Sequence, residues 1–339
     1  MTEQTAQPPL SVPQTGAEEE APASLSQNLG RRLVVPMILA VLAYGALLLY
    51  ADAGAIAKNA SQVPVWVLLA ATGLAIANFI FRFFRWQYYL RRLDISVPTF
   101  DSGLIFIAGF SMSITPGKVG EVIKSLLLKR AHDVSMAVSA PIVLAERITD
   151  LGALLLLGAV GLLAIGSFWS AIAAVLLVLL MFVLCVWRPL SDFGIRIATK
   201  IPFLARRKQK LLELQASILA LNQPVPFTIS LFLSFIAWGA QCLNLKVIAS
   251  AFPGMALSLQ EAFLAYSAPL LAGTLALIPG GLGVTEGSMT GVLQTLGGDG
   301  VTAAAAAAAT ILCRLTTFWV AILFGFVALG IWRSRHGNF

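Results

Sequence analysis

The chain has 339 residues, of which 58% are hydrophobic and only 12% charged, with 23 Lys and Arg against 16 Asp and Glu. A soluble domain needs far more charge to cover its surface, so this composition excludes one and makes the bilayer the natural solvent. The sequence therefore predicts an all-α, polytopic helical membrane protein, with no nucleic-acid partner.

Residues 1 to about 28 are rich in Pro, Gln, Ser and Ala, carry the acidic run Glu18 to Glu20, and lack an apolar face. They read as a disordered cytoplasmic tail. No basic segment precedes a cleavage site, so Leu33 to Tyr50 reads as a retained first helix rather than a signal peptide. It and Pro64 to Phe81 each hold 18 residues, about 27 Å as helix. Next, Arg82 to Leu93 places Phe83, Trp86, Leu90 and Leu93 on one face and Arg82, Arg85 and Arg92 on another. That pattern predicts an interfacial helix at anionic headgroups, with membrane anchoring as its whole role.

Gly103 to Thr115 is apolar but only 13 residues, about 20 Å of helix against a hydrocarbon core of roughly 30 Å. Its return limb, Val119 to Leu128, is shorter still. Both limbs fit a re-entrant hairpin on the cytoplasmic side, its irregular backbone shielded by protein. Further full spans are expected within Pro141 to Gly166, Phe168 to Trp187, Phe227 to Ser250 and Val301 to Ile331. Between them, 188–225 reads as a polar cytoplasmic connection. Ala265 to Ile278 and Val284 to Leu296 form a second hairpin, broken by Pro269, Pro279 and three glycines. The total is about six full spans plus two hairpins, or eight spans by simple hydropathy.

Arg31 and Arg32 precede the first helix, Arg82, Arg85, Arg91 and Arg92 follow the second, and further basic residues fill the central connection and the C-terminal tail at 333–339, which puts both termini in the cytoplasm. The first unit, about 64–166, then begins outside and the second, about 226–332, begins inside. Inverted topology follows, with hairpins dipping from opposite faces towards a midplane site inside one membrane domain at 29–332. The three cysteines sit in apolar runs without metal-ligand spacing and read as packing residues. Seven alanines from Ala303 to Ala309 predict close helix packing.

The chemistry concentrates at the two breaks. Thr115-Pro-Gly-Lys-Val-Gly-Glu121 is echoed by Ile278-Pro-Gly-Gly-Leu-Gly-Val-Thr-Glu286. In the first, Thr115 suits an N-cap and Pro116 a first helical position. Gly117 and Gly120 let backbone amides approach a ligand, as do Gly280, Gly281 and Gly283 in the second. A helix starting inside the membrane presents unpaired N–H groups to a phosphate or carboxylate, and Lys118 and Lys124 add positive charge. The alternative is a plain turn with both lysines snorkelling to the interface. Glu121 and Glu286 complement the dipole, or bind a cationic headgroup or proton. Spacing of four puts Glu146 and Asp150 on one helix face, with Arg147 in reach of Asp150. That cluster is either a site or an internally neutralised clamp between helices. Arg314 has no acid nearby on its helix, and Glu286 or a lipid phosphate is its expected partner. Arg147 is expected nearer the cytoplasmic leaflet and Arg314 nearer the outer one.

At these residues the chain resembles the lysylphosphatidylglycerol synthase transmembrane-region family, the flippase-like membrane domain of the bacterial multiple peptide resistance factor. The matching residues are Pro116 to Glu121, Glu146 and Arg147 with Asp150, Pro279 to Val284 with Glu286, and Arg314. The resemblance covers about residues 30 to 332. It implies a multi-pass protein of the bacterial cell membrane that moves a lipid, such as an aminoacylated phospholipid, between leaflets. Its expected partners are membrane lipids and lipid-modifying enzymes. In the synthases the aminoacyl transfer belongs to a separate soluble domain, for which this sequence offers no segment. A non-enzymatic, cofactor-free lipid transporter is therefore expected. An embedded lipid-modifying transferase, or a non-transporting partner of a lipid pathway, is the alternative.

Overall fold

Long apolar runs become long helices because a backbone in hydrocarbon must satisfy its own hydrogen bonds. The structure, a computed structural model, describes residues 29–115, 121–187 and 208–337, with positions 189, 193 and 197 between them. The helices are α1 (Leu29–Tyr50), α2 (Ala53–Ser61), α3 (Val65–Arg92), α4 (Thr99–Ala108), α5 (Ile123–His132), α6 (Met136–Ala164) and α7 (Phe168–Val186). After the central connection follow α8 (Lys208–Leu221), α9 (Pro224–Ala249), α10 (Leu259–Leu275), α11 (Val284–Leu296), α12 (Ala303–Arg314) and α13 (Val320–His336). The chain is an all-α, polytopic membrane protein. Among the described residues, five helical stretches are long and apolar enough to cross a bilayer: α3, α6, α7, α9 and the run from α12 through α13. Helices α1 and α2, bent by 92° at Asp52, make a sixth when taken together. Asp52 caps α2 by accepting from the Ala55 amide at 3.1 Å.

Two hairpins carry shorter limbs. In the first, α4 tightens into a 3-10 turn at Gly109–Met112, and α5 returns with ten residues, about 15 Å. In the second, α10 and α11 hold 17 and 13 residues, about 25 and 20 Å. All four limbs fall short of a roughly 30 Å hydrocarbon core. The tips meet in one apolar cluster: Ile114 of the first and Leu282 of the second, with Ala40, Phe318 and Ile322.

Close packing depends on small residues. Ala304 to Ala309 are all buried, and α12 lies against α2, α9 and α11. A Cβ on Gly325 of α13 would stand 2.2 Å from the Ser111 amide nitrogen, so α13 and the first hairpin touch backbone to backbone. The three cysteines are free, with Cys242 and Cys313 buried.

Helices α3 and α9 are joined by two reciprocal hydrogen bonds. Asn78 donates to the Ala237 carbonyl at 2.8 Å, and Asn244 donates to the Ala71 carbonyl at 2.7 Å. The paired positions share one offset, since 237 − 71 and 244 − 78 are both 166. As numbering rises along α3 it falls along α9, so the two helices run antiparallel.

Two expectations are corrected. Arg82 to Leu93 forms no separate interfacial helix: α3 continues to Arg92, and Arg82, Arg85, Trp86 and Tyr89 are buried. The two arginines are buried because they face acidic partners, Glu121 just before α5 and Asp150 on α6, which hydropathy in a single window does not register. The connection at 188–225 is more than a polar linker, because α8 packs on α6 with Leu221 fully buried. The tail at 1–28 and Gly117, Lys118 and Gly120 lie outside the described residues, as does the expected helix start at Pro116.

Candidate functional site

The second break is a backbone that cannot hydrogen-bond regularly. Leu277, Gly280, Gly281 and Gly283 all have positive φ, between 54° and 85°. For leucine this costs roughly 1–2 kcal/mol, whereas glycine adopts it freely. A Cβ on Gly273 would stand 2.1 Å from Thr285 Oγ1, so only glycine lets the α10 limb approach the tip. Side chains take over the missing backbone bonds. Glu286 Oε2 accepts from the Gly283 amide at 2.7 Å, half of a capping box. Arg314 donates from Nε to Glu286 Oε1 at 2.6 Å and from Nη2 to the Gly280 carbonyl at 2.9 Å, with its guanidinium 4.2 Å from the Phe318 ring centroid. Just past Arg314, residues Leu315–Trp319 form one π-helical turn, and the Trp319 indole donates to the Tyr44 hydroxyl at 2.8 Å. Arg314 therefore has its expected acid, and it ties the broken tip to α12.

The first half buries far more charge. Arg82 and Arg85 come from α3, Glu121 and Lys124 from the return limb, and Glu146, Arg147 and Asp150 from α6. Arg85 Nη1 donates to Asp150 Oδ1 at 2.6 Å, to Thr149 Oγ1 at 3.1 Å and to the Ser234 hydroxyl. The Trp238 indole donates to the same Asp150 oxygen at 2.9 Å. Lys124 pairs with Glu146 and lies 4.8 Å from the Trp86 ring centroid, so it is held inside and does not snorkel. Arg147 Nη2 donates to Glu121 Oε2 at 2.7 Å and lies 3.5 Å from Asp150 Oδ2. Ser113 donates to Glu121 Oε1 at 3.3 Å, linking the two limbs of the hairpin.

Among the described residues this cluster holds four cations and three carboxylates, a net charge of +1. Its pairing is incomplete. Arg82 Nη2 is 4.0 Å from both Glu121 Oε2 and Asp150 Oδ2, beyond hydrogen-bond range. Arg82 Nε and Nη2 and Arg147 Nε have no acceptor among the described residues. A buried donor left unpaired costs about 1–3 kcal/mol, and more when charged.

Beside the cluster lies a cavity of about 180 Å³. Thr115 from the first hairpin tip and Gly280 and Gly281 from the second both line it. Arg147 and Asp150 give it charge, Trp238 lines it while donating to Asp150, and Leu151, Leu154, Leu270 and Ile278 supply apolar wall. Leu277 also lines it while remaining 67% exposed, so on that side the cavity reaches the outer surface of the helix bundle.

The sequence-predicted residues thus separate into three groups. Arg147, Asp150, Gly280 and Gly281 meet at the cavity. Glu121, Lys124 and Glu146 join the charge cluster behind it. Gly283, Glu286 and Arg314 brace the second tip from the α12 side. Arg147 lines the cavity itself, whereas Arg314 reaches it only through the carbonyl of Gly280, which lines it. Sequence reasoning passed over Arg82, Arg85, Trp238 and Thr285. A signal for the first two existed: arginines three apart on a long helix, in a chain with two carboxylates four apart on another.

The family model for the lysylphosphatidylglycerol synthase TM region matches residues 37–325. Two UPF0104 membrane proteins of Methanothermobacter thermautotrophicus are similar, one 26% identical over 78% of this chain and 81% of its own length. The other is 24% identical over 86% and 93%. A UPF0104 membrane protein of Pyrococcus horikoshii is 27% identical over 77% of this chain and 85% of its own. The family match spans both hairpins, the charge cluster and the cavity they enclose. The chain belongs to the lysylphosphatidylglycerol synthase transmembrane-region family.

Proposed function

We propose that this protein moves a lipid with a polar or anionic headgroup between the two leaflets, as a transporter and without chemical conversion. The supporting observation is the convergence of both hairpin tips on one cavity with charged residues and an apolar wall that reaches the bundle surface. A headgroup fits the charged residues, while acyl chains stay in hydrocarbon and need no protein enclosure.

The reciprocal bonds between α3 and α9 support an inverted repeat. The contact of 71 with 244 becomes that of 237 with 78 when the two halves are exchanged. Antiparallel helices related in this way share a two-fold axis perpendicular to their length, which lies in the membrane plane if they span it. The two acid–arginine pairs follow nearly the same offset, 286 − 121 being 165 and 314 − 147 being 167. Halves of opposite orientation around one cavity give alternating access by rocking. In this reading both termini are cytoplasmic, following the basic residues, and membrane lipids and lipid-modifying enzymes are the partners.

Proteoliposomes of defined lipid composition test this reading. Incubation should redistribute a headgroup-labelled lipid between leaflets while mass spectrometry finds only the lipids supplied. New lipid species would mean an embedded transferase instead.

A further inference from the structure

Glu121 occupies a position that calls for an anion. Its Oε2 is 2.7 Å from Arg147 Nη2 and 4.0 Å from both Arg82 Nη2 and Lys124 Nζ, so a single oxygen sits among three cations. Among the described residues, two of those cations have donors to spare: Arg82 at Nε and Nη2, and Arg147 at Nε. Arg85 carries spare nitrogens too, but its Nη1 is already fixed by three acceptors.

We infer that Arg82 and Arg147 together bind one phosphodiester monoanion, and that Glu121 stands in for it until the ligand arrives. The inference rests on the transport reading and names the chemistry of its headgroup. A phosphodiester has two non-bridging oxygens sharing one negative charge, which suits forked donors on two guanidinium groups. One such charge neutralises the net +1 of the seven described cluster residues. Arg147 reaches the ligand directly from the cavity wall. Arg82 lies one layer in, 5.8 Å from the ring centroid of Trp238, which lines the cavity. The phosphate therefore competes with Glu121 for both arginines.

Competition also assigns a moving part. Glu121 ties the start of the return limb of the first hairpin to α6 through Arg147, and displacing it leaves that limb held to α6 by the Lys124–Glu146 pair. The equivalent pair in the second half does not face the cavity. Arg314 and Glu286 are buried and tied to Gly280, Gly283 and Phe318. Headgroup binding thus loosens the start of that limb and leaves the second hairpin in place.

The test is equilibrium binding of fluorescent short-chain phosphatidylglycerol to the purified full chain in detergent, with short-chain phosphatidylcholine and inorganic phosphate as competitors. Removing the internal competitor in Glu121→Gln should tighten phosphatidylglycerol binding about fivefold or more, and Arg82→Gln should weaken it about tenfold. A gain of affinity cannot arise from misfolding, so the first variant decides. Unchanged or weaker binding in Glu121→Gln overturns the inference whatever Arg82→Gln does. If that happens while labelled lipid still crosses proteoliposomes, the phosphate site falls and the transport reading stands. If inorganic phosphate displaces the lipid at equal concentration, the anion site stands and the lipid reading falls.

Discussion

Asn78 and Asn244 each donate a side-chain amide into the backbone of the other's helix, at 2.8 and 2.7 Å, and both are buried. The acceptors, Ala237 and Ala71, already serve their own helices, so the pair acts as two rivets either side of one axis. In a bilayer such bonds average about 0.6 kcal/mol and reach about 1.7. Asn78→Ala should therefore lower thermal stability in detergent by about 0.6 kcal/mol, and Asn244→Ala by more, because its amide also donates to Thr316 Oγ1 at 3.2 Å. A larger loss in Asn78→Ala than in Asn244→Ala would contradict an equivalent role for the two backbone bonds.

The glycines of the second hairpin divide by what a methyl group would meet. Gly273→Ala and Gly280→Ala place a Cβ 2.1 Å from Thr285 Oγ1 and 2.6 Å from Phe318 Cζ. Each should cost about 1–3 kcal/mol through overpacking, with added backbone strain at Gly280, whose φ is +63°. Gly239 on α9 meets nothing within 4 Å. Gly239→Ala should leave stability unchanged or raise it by up to about 1 kcal/mol. Melting curves of the three variants check this ordering.

Arg314→Gln removes a buried cation that satisfies both Glu286 and the Gly280 carbonyl. Leaving Glu286 charged and unpaired should cost about 3–5 kcal/mol, read as poor membrane yield and a lower melting temperature. Adding Glu286→Gln should recover part of that loss, because no lone charge then remains. A double variant less stable than either single one would show that the pair does more than neutralise.

Under the proposed inverted repeat, the two halves differ where they correspond. Lys124 stands three residues after Glu121, as Met289 does after Glu286, and Glu146 precedes Arg147 as Cys313 precedes Arg314. A buried ion pair in one half thus has a buried apolar counterpart in the other. Lys124→Met alone should cost about 3–5 kcal/mol by stranding Glu146. Lys124→Met combined with Glu146→Cys should lie within about 2 kcal/mol of the wild type, since apolar replacement of a whole pair is often neutral. Chemical denaturation of the three proteins distinguishes these outcomes.

Much of the fold was legible because hydrophobic length is a one-dimensional property. The long spans and both hairpins follow from where apolar runs stop, although α10 starts at Leu259, six residues earlier than the apolar pattern suggests. Glu286 could be named as the partner of Arg314 because a lone arginine at depth demands an acid, and few were on offer. Arg82 and Arg85 were misread for the converse reason. Their neighbours Phe83, Trp86 and Tyr89 imitate an interfacial face, and the carboxylates that hold them lie 39 or more positions away in sequence (121 − 82). The bend at Asp52 and the π turn after Arg314 carry no periodic signal at all. The meeting of the two hairpin tips at one cavity is likewise a tertiary fact.

The central claim is that a headgroup passes through the cavity beside Arg147. Its most direct test is the rate at which full-length protein in liposomes exposes headgroup-labelled phosphatidylglycerol to an external quencher, compared with Arg147→Gln at equal reconstituted amount and matched melting temperature. The wild type should flip lipid faster than protein-free liposomes, and the variant should fall to nearly the protein-free rate. Equal rates in wild type and variant, or a wild type no faster than bare liposomes, would contradict the account.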